Sequence, residues 1–188
     1  LAGKCYDALN QSATIQKIFL SKKILKKIAI FHELKTPSQI AFADFQFLIM
    51  LPSKKKREYL GWHQDSKYFE VSKSKKSSII CWTSISSSSN KVNGALSVMP
   101  GSHNLGRIHH IKNSRSKIKK NSSKRKGQFY IDEDKINKFK VKNCFINSGQ
   151  SIVFDSHLVH RSGPTLSGNN NSIRFTIIAR YKNILKLF

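Results

Sequence analysis

The sequence predicts a mainly β fold with flanking helices, either a β-sandwich or a jelly-roll barrel, and three observations carry that prediction. Apolar residues recur at helical spacing only before about residue 35; beyond Gln39 they gather into short runs of strand character; and turn-forming Pro, Gly, Asn and Ser separate those runs. A length of 188 residues with 39% hydrophobic content supports one sizeable core and is short for two. A single domain over 1–188 is therefore expected, with a helical flank at 1–35 and a sheet core at 36–188. The chain opens at Leu1 directly into helical sequence, so the flank reads as truncated at its N-terminus.

In the flank, Ile15, Ile18 and Phe19, then Ile24, Leu25, Ile28, Ile30 and Phe31, recur at three- and four-residue intervals, with Lys22, Lys23, Lys26 and Lys27 on the other side. That is the pattern of helices laid against a sheet, with Ser12 or Ser21 available as a helix-start cap. Thr36-Pro37-Ser38 punctuates the chain. Gln39 to Leu51 reads as a long strand, with Phe45, Phe47 and Ile49 on one face and Asp44, Gln46 and Leu48 on the other. Ser78 to Ile85 and Gly94 to Met99 are the next strands. Pro100-Gly101 stops the second of these, because proline cannot continue a ladder and glycine allows a positive φ. A basic loop is expected at about 104–140, where the tract from Arg107 to Lys126 contains no acid. Val141 to Ile146, Ser151 to Phe154 and Ser172 to Tyr181 complete the strands.

The formal net charge of +24 points by itself toward a polyanion. Lysine supplies most of it, alongside abundant Asn, Ile and Ser, a composition that A/T-rich coding produces without any such partner. Aromatic residues do not alternate with the basic ones as in a platform for stacked bases, so nucleic acid is disfavoured. No apolar run reaches the roughly 20 residues that span a bilayer. Cys5, Cys81 and Cys144 are odd in number and form no CxxC, which suggests neither a disulfide framework nor a zinc knuckle. A reducing, cytoplasmic setting is the expectation.

Chemistry concentrates at Gly61-Trp62-His63-Gln64-Asp65. On a strand, residues two apart project from one face, so His63 and Asp65 converge while Gln64 turns away. A histidine from another strand would complete a metal site, and His160 is the best candidate. Two histidines and a carboxylate, with half the coordination sphere open, form the facial triad suited to non-haem Fe(II). Strand parity places Phe154, Ser156, Leu158 and His160 on one face and His157 on the other. His109-His110 reads as a solvated pair in the basic loop, and His103, after the turn, as structural.

Four pieces stand in order: WHQD at 62–65 with Tyr68-Phe69 after it, ICWTSI at 80–85, NGALSVMPGSH at 93–103, and VFDSHLVHRSGP at 153–164 followed by SIRF at 172–175. From about Asp44 to Tyr181 the chain thereby resembles the phytanoyl-CoA dioxygenase family of iron- and 2-oxoglutarate-dependent oxygenases. The resemblance implies a double-stranded β-helix, the cupin-like jelly roll, with iron at one mouth. His63, Asp65 and His160 match the iron ligands, and Arg174 matches the arginine that grips the distal carboxylate of 2-oxoglutarate. A guanidinium suits that task because it forks to both carboxylate oxygens. Trp82 and Ser162 fall where the family lines the cosubstrate pocket, and Gln64 falls beside it. Arg180 shares the parity of Arg174, so pattern alone does not separate the two. The chain departs from the family in a longer segment between His160 and Arg174, in its basic 104–140 stretch, and in incomplete upstream helices, where the lysine that some members direct toward the cosubstrate is either Lys4 or absent.

The activity implied is oxidation by dioxygen of a small-molecule or acyl substrate, hydroxylating a C–H bond and converting 2-oxoglutarate to succinate and CO2. Asp65 favours hydroxylation, since related halogenating enzymes carry a small residue there. A basic loop near the mouth would suit an anionic substrate through Coulomb steering. Two other classes compete. A catalytically silent jelly-roll ligand-binding protein need not keep all of His63, Asp65, His160 and Arg174. A basic nucleic-acid-binding protein should show steep salt dependence and no metal dependence.

Overall fold

Alternation of apolar and polar residues after Ile40 is realised as sheet, and the helical periodicity before it as two short helices. The structure, a computed structural model, describes residues 8, 10–50, 61–69, 78–86, 94–112, 129–163 and 173–184. Helices α1 (Ala13–Phe19) and α2 (Lys22–Phe31) lead into strand β1 (Ile40–Met50), and a one-turn helix α3 (Ser66–Phe69) follows the His63–Asp65 segment. The remaining strands are β2 (Ile79–Ser84), β3 (Leu96–Val98), β4 (Ile111–Lys112), β5 (Phe129–Tyr130), β6 (Lys142–Cys144), β7 (Ser151–Asp155), β8 (His160–Ser162) and β9 (Arg174–Asn183). Lys4, Cys5 and the basic tract at 113–128 lie outside the described residues. No helix among the described residues is long and apolar enough to cross a membrane.

The strands form an antiparallel four-stranded sheet of order β1-β9-β2-β7 and a three-stranded sheet of order β6-β3-β8. This is the mainly β, cupin-like jelly-roll arrangement. Each strand of the larger sheet sorts its residues by parity. Ile80 and Trp82 of β2, Phe154 of β7 and Ile178 of β9 pack with Leu96 and Val98 of β3, filling the space between the sheets. Phe45 of β1, Ile79 and Cys81 of β2, and Ile177, Ala179 and Tyr181 of β9 take the opposite face, where Phe19 and Ile28 of the helices cover them.

Small polar groups fasten the helices to that outer face. The Ser12 hydroxyl accepts from the amide of Ile15 and caps α1, whereas Ser21 precedes α2 without a side-chain cap bond. Tyr181 donates its hydroxyl to the carbonyl of Phe19 at the end of α1. β1 is a sheet edge, and the Asn10 amide closes it at one point by pairing with both the N–H and the C=O of Phe45, beside a register shift between Phe42 and Asp44. Bulges and covering groups of this kind keep an edge from pairing with other chains.

The 104–140 stretch is more than the solvated loop expected from its charge. Ile131 and Ile136 are buried with Trp62, Met99 and Val159, and Ile108 and Phe139 pack against them. Gly101 adopts φ +84 at the turn after β3, as the Pro-Gly pair predicts.

Candidate metal centre

His63 and His160 are brought together by backbone pairing. Their amides and carbonyls exchange two hydrogen bonds of 3.0 Å each, an antiparallel bridge that sets His63 alongside β8 on the side away from β3. The ring centroids lie 4.3 Å apart. Asp65 sits in the turn that begins α3, its carbonyl accepting from Tyr68 N and the next amide, Ser66, bonding to the carbonyl of Ser156. Convergence therefore comes from a bridge and a helical turn rather than from a regular strand.

The two rings are also fixed in rotation. Nδ1 of His63 lies 2.9 Å from the carbonyl oxygen of Gly61, and Nδ1 of His160 lies 2.9 Å from that of Leu158. A carbonyl can only accept, so both Nδ1 atoms carry hydrogen and both Nε2 atoms turn inward. They meet the same oxygen. Asp65 Oδ1 is 3.7 Å from Nε2 of His63 and 3.4 Å from Nε2 of His160. All three residues are buried, and their ligand atoms lie within 4.8 Å of one another.

Electrostatics suits the donors to a cation. Burial, reinforced by His160, drives the His63 imidazole down to about 3, which keeps it neutral at working pH. Burial raises the Asp65 carboxyl, but hydrogen bonding and charge from His160, with Arg180 and His63 behind it, hold it at about 2. Two inward-facing imidazole nitrogens and an ionised carboxylate, with backbone carbonyls orienting the rings from behind, make a fitting N,O,N set for a first-row divalent ion.

Along β9, Arg174, Thr176, Ile178 and Arg180 alternate onto the inner face. Arg174 is fully buried at one end of the strand, its guanidinium 5.1 Å from the centre of the Trp82 ring. Between Arg174 and Ile178, the hydroxyl of Thr176 is buried with no hydrogen-bond partner among the described residues. Ser162 lies across from Leu96, and His160 across from Val98, so both β8 side chains share the inner face. The HRSG segment also explains its glycine: a Cβ at Gly163 would stand 2.7 Å from the carbonyl oxygen of Ala95, to which the Gly163 amide bonds.

The profile of the family described as Phytanoyl-CoA dioxygenase (PhyH) matches residues 14–173. The chain belongs to the phytanoyl-CoA dioxygenase family. A comparison with curated proteins finds no match. Among solved structures, the non-heme monooxygenase ThoJ in its apo form is similar at 19% identity, covering 90% of this chain and 55% of its own, with a TM-score of 0.64. EvdO2 from Micromonospora carbonacea var. aurantiaca, complexed with 2-oxoglutarate, is similar at 15% identity, covering 94% and 62%, with a TM-score of 0.62. The epimerase SnoN, in complex with Fe3+, alpha ketoglutarate and nogalamycin RO, is similar at 15% identity, covering 95% and 62%, with a TM-score of 0.65. The chain spans less than two thirds of each of these three proteins, and the likeness is one of fold.

In this member of the phytanoyl-CoA dioxygenase family two residues depart from their sequence reading. Gln64, expected beside the cosubstrate, commits its amide to backbone: Nε2 donates to the carbonyls of Gly106 and His157, and Oε1 accepts from the amide of Ile108. His110 is buried rather than solvated. Its Nδ1 donates to the carbonyl of Ile108, and its Nε2 accepts from the amide of Gln64 at 3.0 Å. The two side chains thus tie the 106–110 segment to the residue between the two ligands His63 and Asp65. The parity expected from Phe154 to His160 is interrupted, because Ser156 to Leu158 form a turn that carries the chain from one sheet to the other. His157 sits in the middle of that turn, pairing with Asp155 at 3.4 Å, and His103 is exposed, while neighbouring Ser102 accepts from the amide of Val159.

Burial lowers His110 from 6.5 to about 4. The unfolded chain takes up a proton below 6.5 that the native chain refuses until about 4, so stability falls as pH drops through that window. Urea unfolding at stepped pH should show this slope, and His110→Asn should flatten it in part. At neutral pH, His110→Ala should cost about 1–3 kcal/mol, since it leaves a buried amide and a buried carbonyl without partners.

Proposed function

We propose that this chain is the core of an Fe(II)- and 2-oxoglutarate-dependent dioxygenase that hydroxylates a C–H bond of a small-molecule or acyl substrate. The observation that carries this reading is the triad of His63, Asp65 and His160, with both Nδ1 atoms pinned to carbonyls and both Nε2 atoms aimed at one carboxylate oxygen. A bound ferrous ion with 2-oxoglutarate supplies the oxidising chemistry, consuming dioxygen and releasing succinate and CO2.

The chain's own residues then hold, orient and exclude. His63, Asp65 and His160 hold the metal. Arg174 would hold the distal carboxylate of 2-oxoglutarate, with the Thr176 hydroxyl available as a further donor and Trp82 and Ser162 as the walls beside it. Ile80, Leu96, Val98 and Ile178 keep water from the space between the sheets. Tyr68 stands at the exposed side, its ring 6.2 Å from that of His63, where a substrate would meet the metal. Asp65, a carboxylate where halogenating relatives have a small residue, favours hydroxylation.

An anionic substrate suits this side of the site. Lys67 reaches over the Phe129 ring, and Lys67 and Arg107 both lie close enough to His110 to depress its protonation. Raising ionic strength should therefore raise KM for the true substrate more than it lowers kcat, because exposed charges are screened beyond about 10 Å at 0.1 M salt.

Anaerobic titration with Fe(II) and 2-oxoglutarate tests the reading. A weak visible metal-to-ligand charge-transfer band should form with wild type and with His157→Ala, and vanish with His160→Ala. A folded wild type that binds Fe(II) and 2-oxoglutarate without that band sinks the proposal.

A further inference from the structure

The carboxylate of Asp65 has two oxygens, and the structure gives them different surroundings. Oδ1 faces both histidines. Oδ2 lies 3.7 Å from Nη2 of Arg180. That guanidinium is 2% exposed, and it is held from its other side by β1: Nη1 bonds Asp44 Oδ1 at 2.9 Å, and Nη2 bonds Gln46 Oε1. Asp44 sits opposite Arg180 in the β1-β9 register, so the anchor is built into strand pairing. An arginine placed this deep would be costly without such partners.

We propose that Arg180 is a positioning residue for the metal centre: it occupies Oδ2 of Asp65 so that the carboxylate presents Oδ1 alone. The inference rests on the metal reading given above. A carboxylate with a free second oxygen can close onto a divalent ion through both, and each extra protein oxygen removes a position that a cosubstrate or dioxygen needs. Three ligand atoms leave about half of a six-coordinate sphere open; a fourth leaves about a third. Arg180 stands where it blocks that closure, and Asp44 balances its charge so that a nearby dication does not face an unopposed cation. The role differs from that of Arg174, which lies six residues along the same face at the far end of the strand.

The test uses cobalt(II) and manganese(II) in place of iron, so that coordination is read without turnover. Arg180→Gln should shift the cobalt d–d spectrum as the carboxylate chelates. It should also lower the water-proton relaxivity of the manganese form by about a third, the loss of one of three exchangeable positions. Arg180→Lys, which keeps a charge near Oδ2, should stay near wild type in both. If the single Gln variant fails to fold because the half-buried Asp44 loses its counter-charge, the charge-balanced pair Asp44→Asn with Arg180→Gln carries the same readouts. A folded Gln variant or double variant with wild-type spectrum and relaxivity overturns the proposal and leaves Arg180 a structural strut. Wild type that binds neither metal overturns the metal reading itself, a result distinct from the first.

Discussion

Replacing Arg174 by leucine is expected to weaken 2-oxoglutarate binding by about two to three orders of magnitude while leaving Fe(II) binding near wild type. The basis is the cost of removing one partner from a desolvated charge pair, about 2–5 kcal/mol. Arg174 is fully buried, and although burial lowers its guanidinium to about 10, it remains charged at neutral pH. The Trp82 face beside it and the Thr176 hydroxyl two residues on, which has no partner among the described residues, are the groups that would receive the carboxylate in the proposed reading. Arg174→Lys should recover only part of the loss, because an ammonium offers a point charge where the guanidinium offers a planar fork. The measurement is the concentration of 2-oxoglutarate that half-develops the anaerobic charge-transfer band. Unchanged affinity in the leucine variant would move the carboxylate site elsewhere, and Arg180 would be the first place to look.

Sequence parity leaves Arg174 and Arg180 equivalent, and three-dimensional context separates them. Arg180 is engaged by Asp44 and Gln46, residues more than 130 positions earlier in the chain, which no local pattern links to β9. The same limit explains other differences. The mainly β fold, the strands from Ile40 onward and the alternating faces of β1 are legible because they rest on period-two patterning. The gathering of His63, Asp65 and His160 is legible through motif context. The turn at Ser156 to Leu158 is legible only in part: His157 to Arg161 reads as either an extension of the preceding strand or the next turn, since Asp155-Ser156-His157 lacks the glycine or proline that usually marks a change of direction. His110 escapes for a different reason. Its neighbours in sequence are basic and polar, and its inward nitrogen is held by the backbone amide of Gln64, 46 residues away. Charge composition forecasts a solvated loop at 104–140, while Ile131, Ile136 and Phe139 stand among charged residues without a sustained strand or helix period, and register as core-facing only once the Trp62 cluster is seen.

The largest stability effect is expected at Phe45→Ala, a loss of about 3–5 kcal/mol. The ring is fully buried, meets Phe19 edge-on at 5.3 Å and leans over Phe42 at 4.3 Å. It is where α1 seats on the sheet, and the same residue's backbone is the point at which Asn10 closes the edge of β1. A chain of this length should lose about 10 °C or more in melting temperature, and Phe45→Leu, which keeps most of the volume, should lose far less. Phe45 is flanked in sequence by Asp44 and Gln46, which point to the other face and hold Arg180. Because side chains two apart share a face and adjacent ones do not, the alanine variant should unfold more easily yet bind cobalt(II) with wild-type affinity well below its melting temperature. Denaturant unfolding with and without cobalt separates the two properties. A loss below about 1 kcal/mol would contradict the packing assigned to Phe45, and a parallel fall in cobalt affinity would show that the helix-covered face and the metal face of β1 act as one unit.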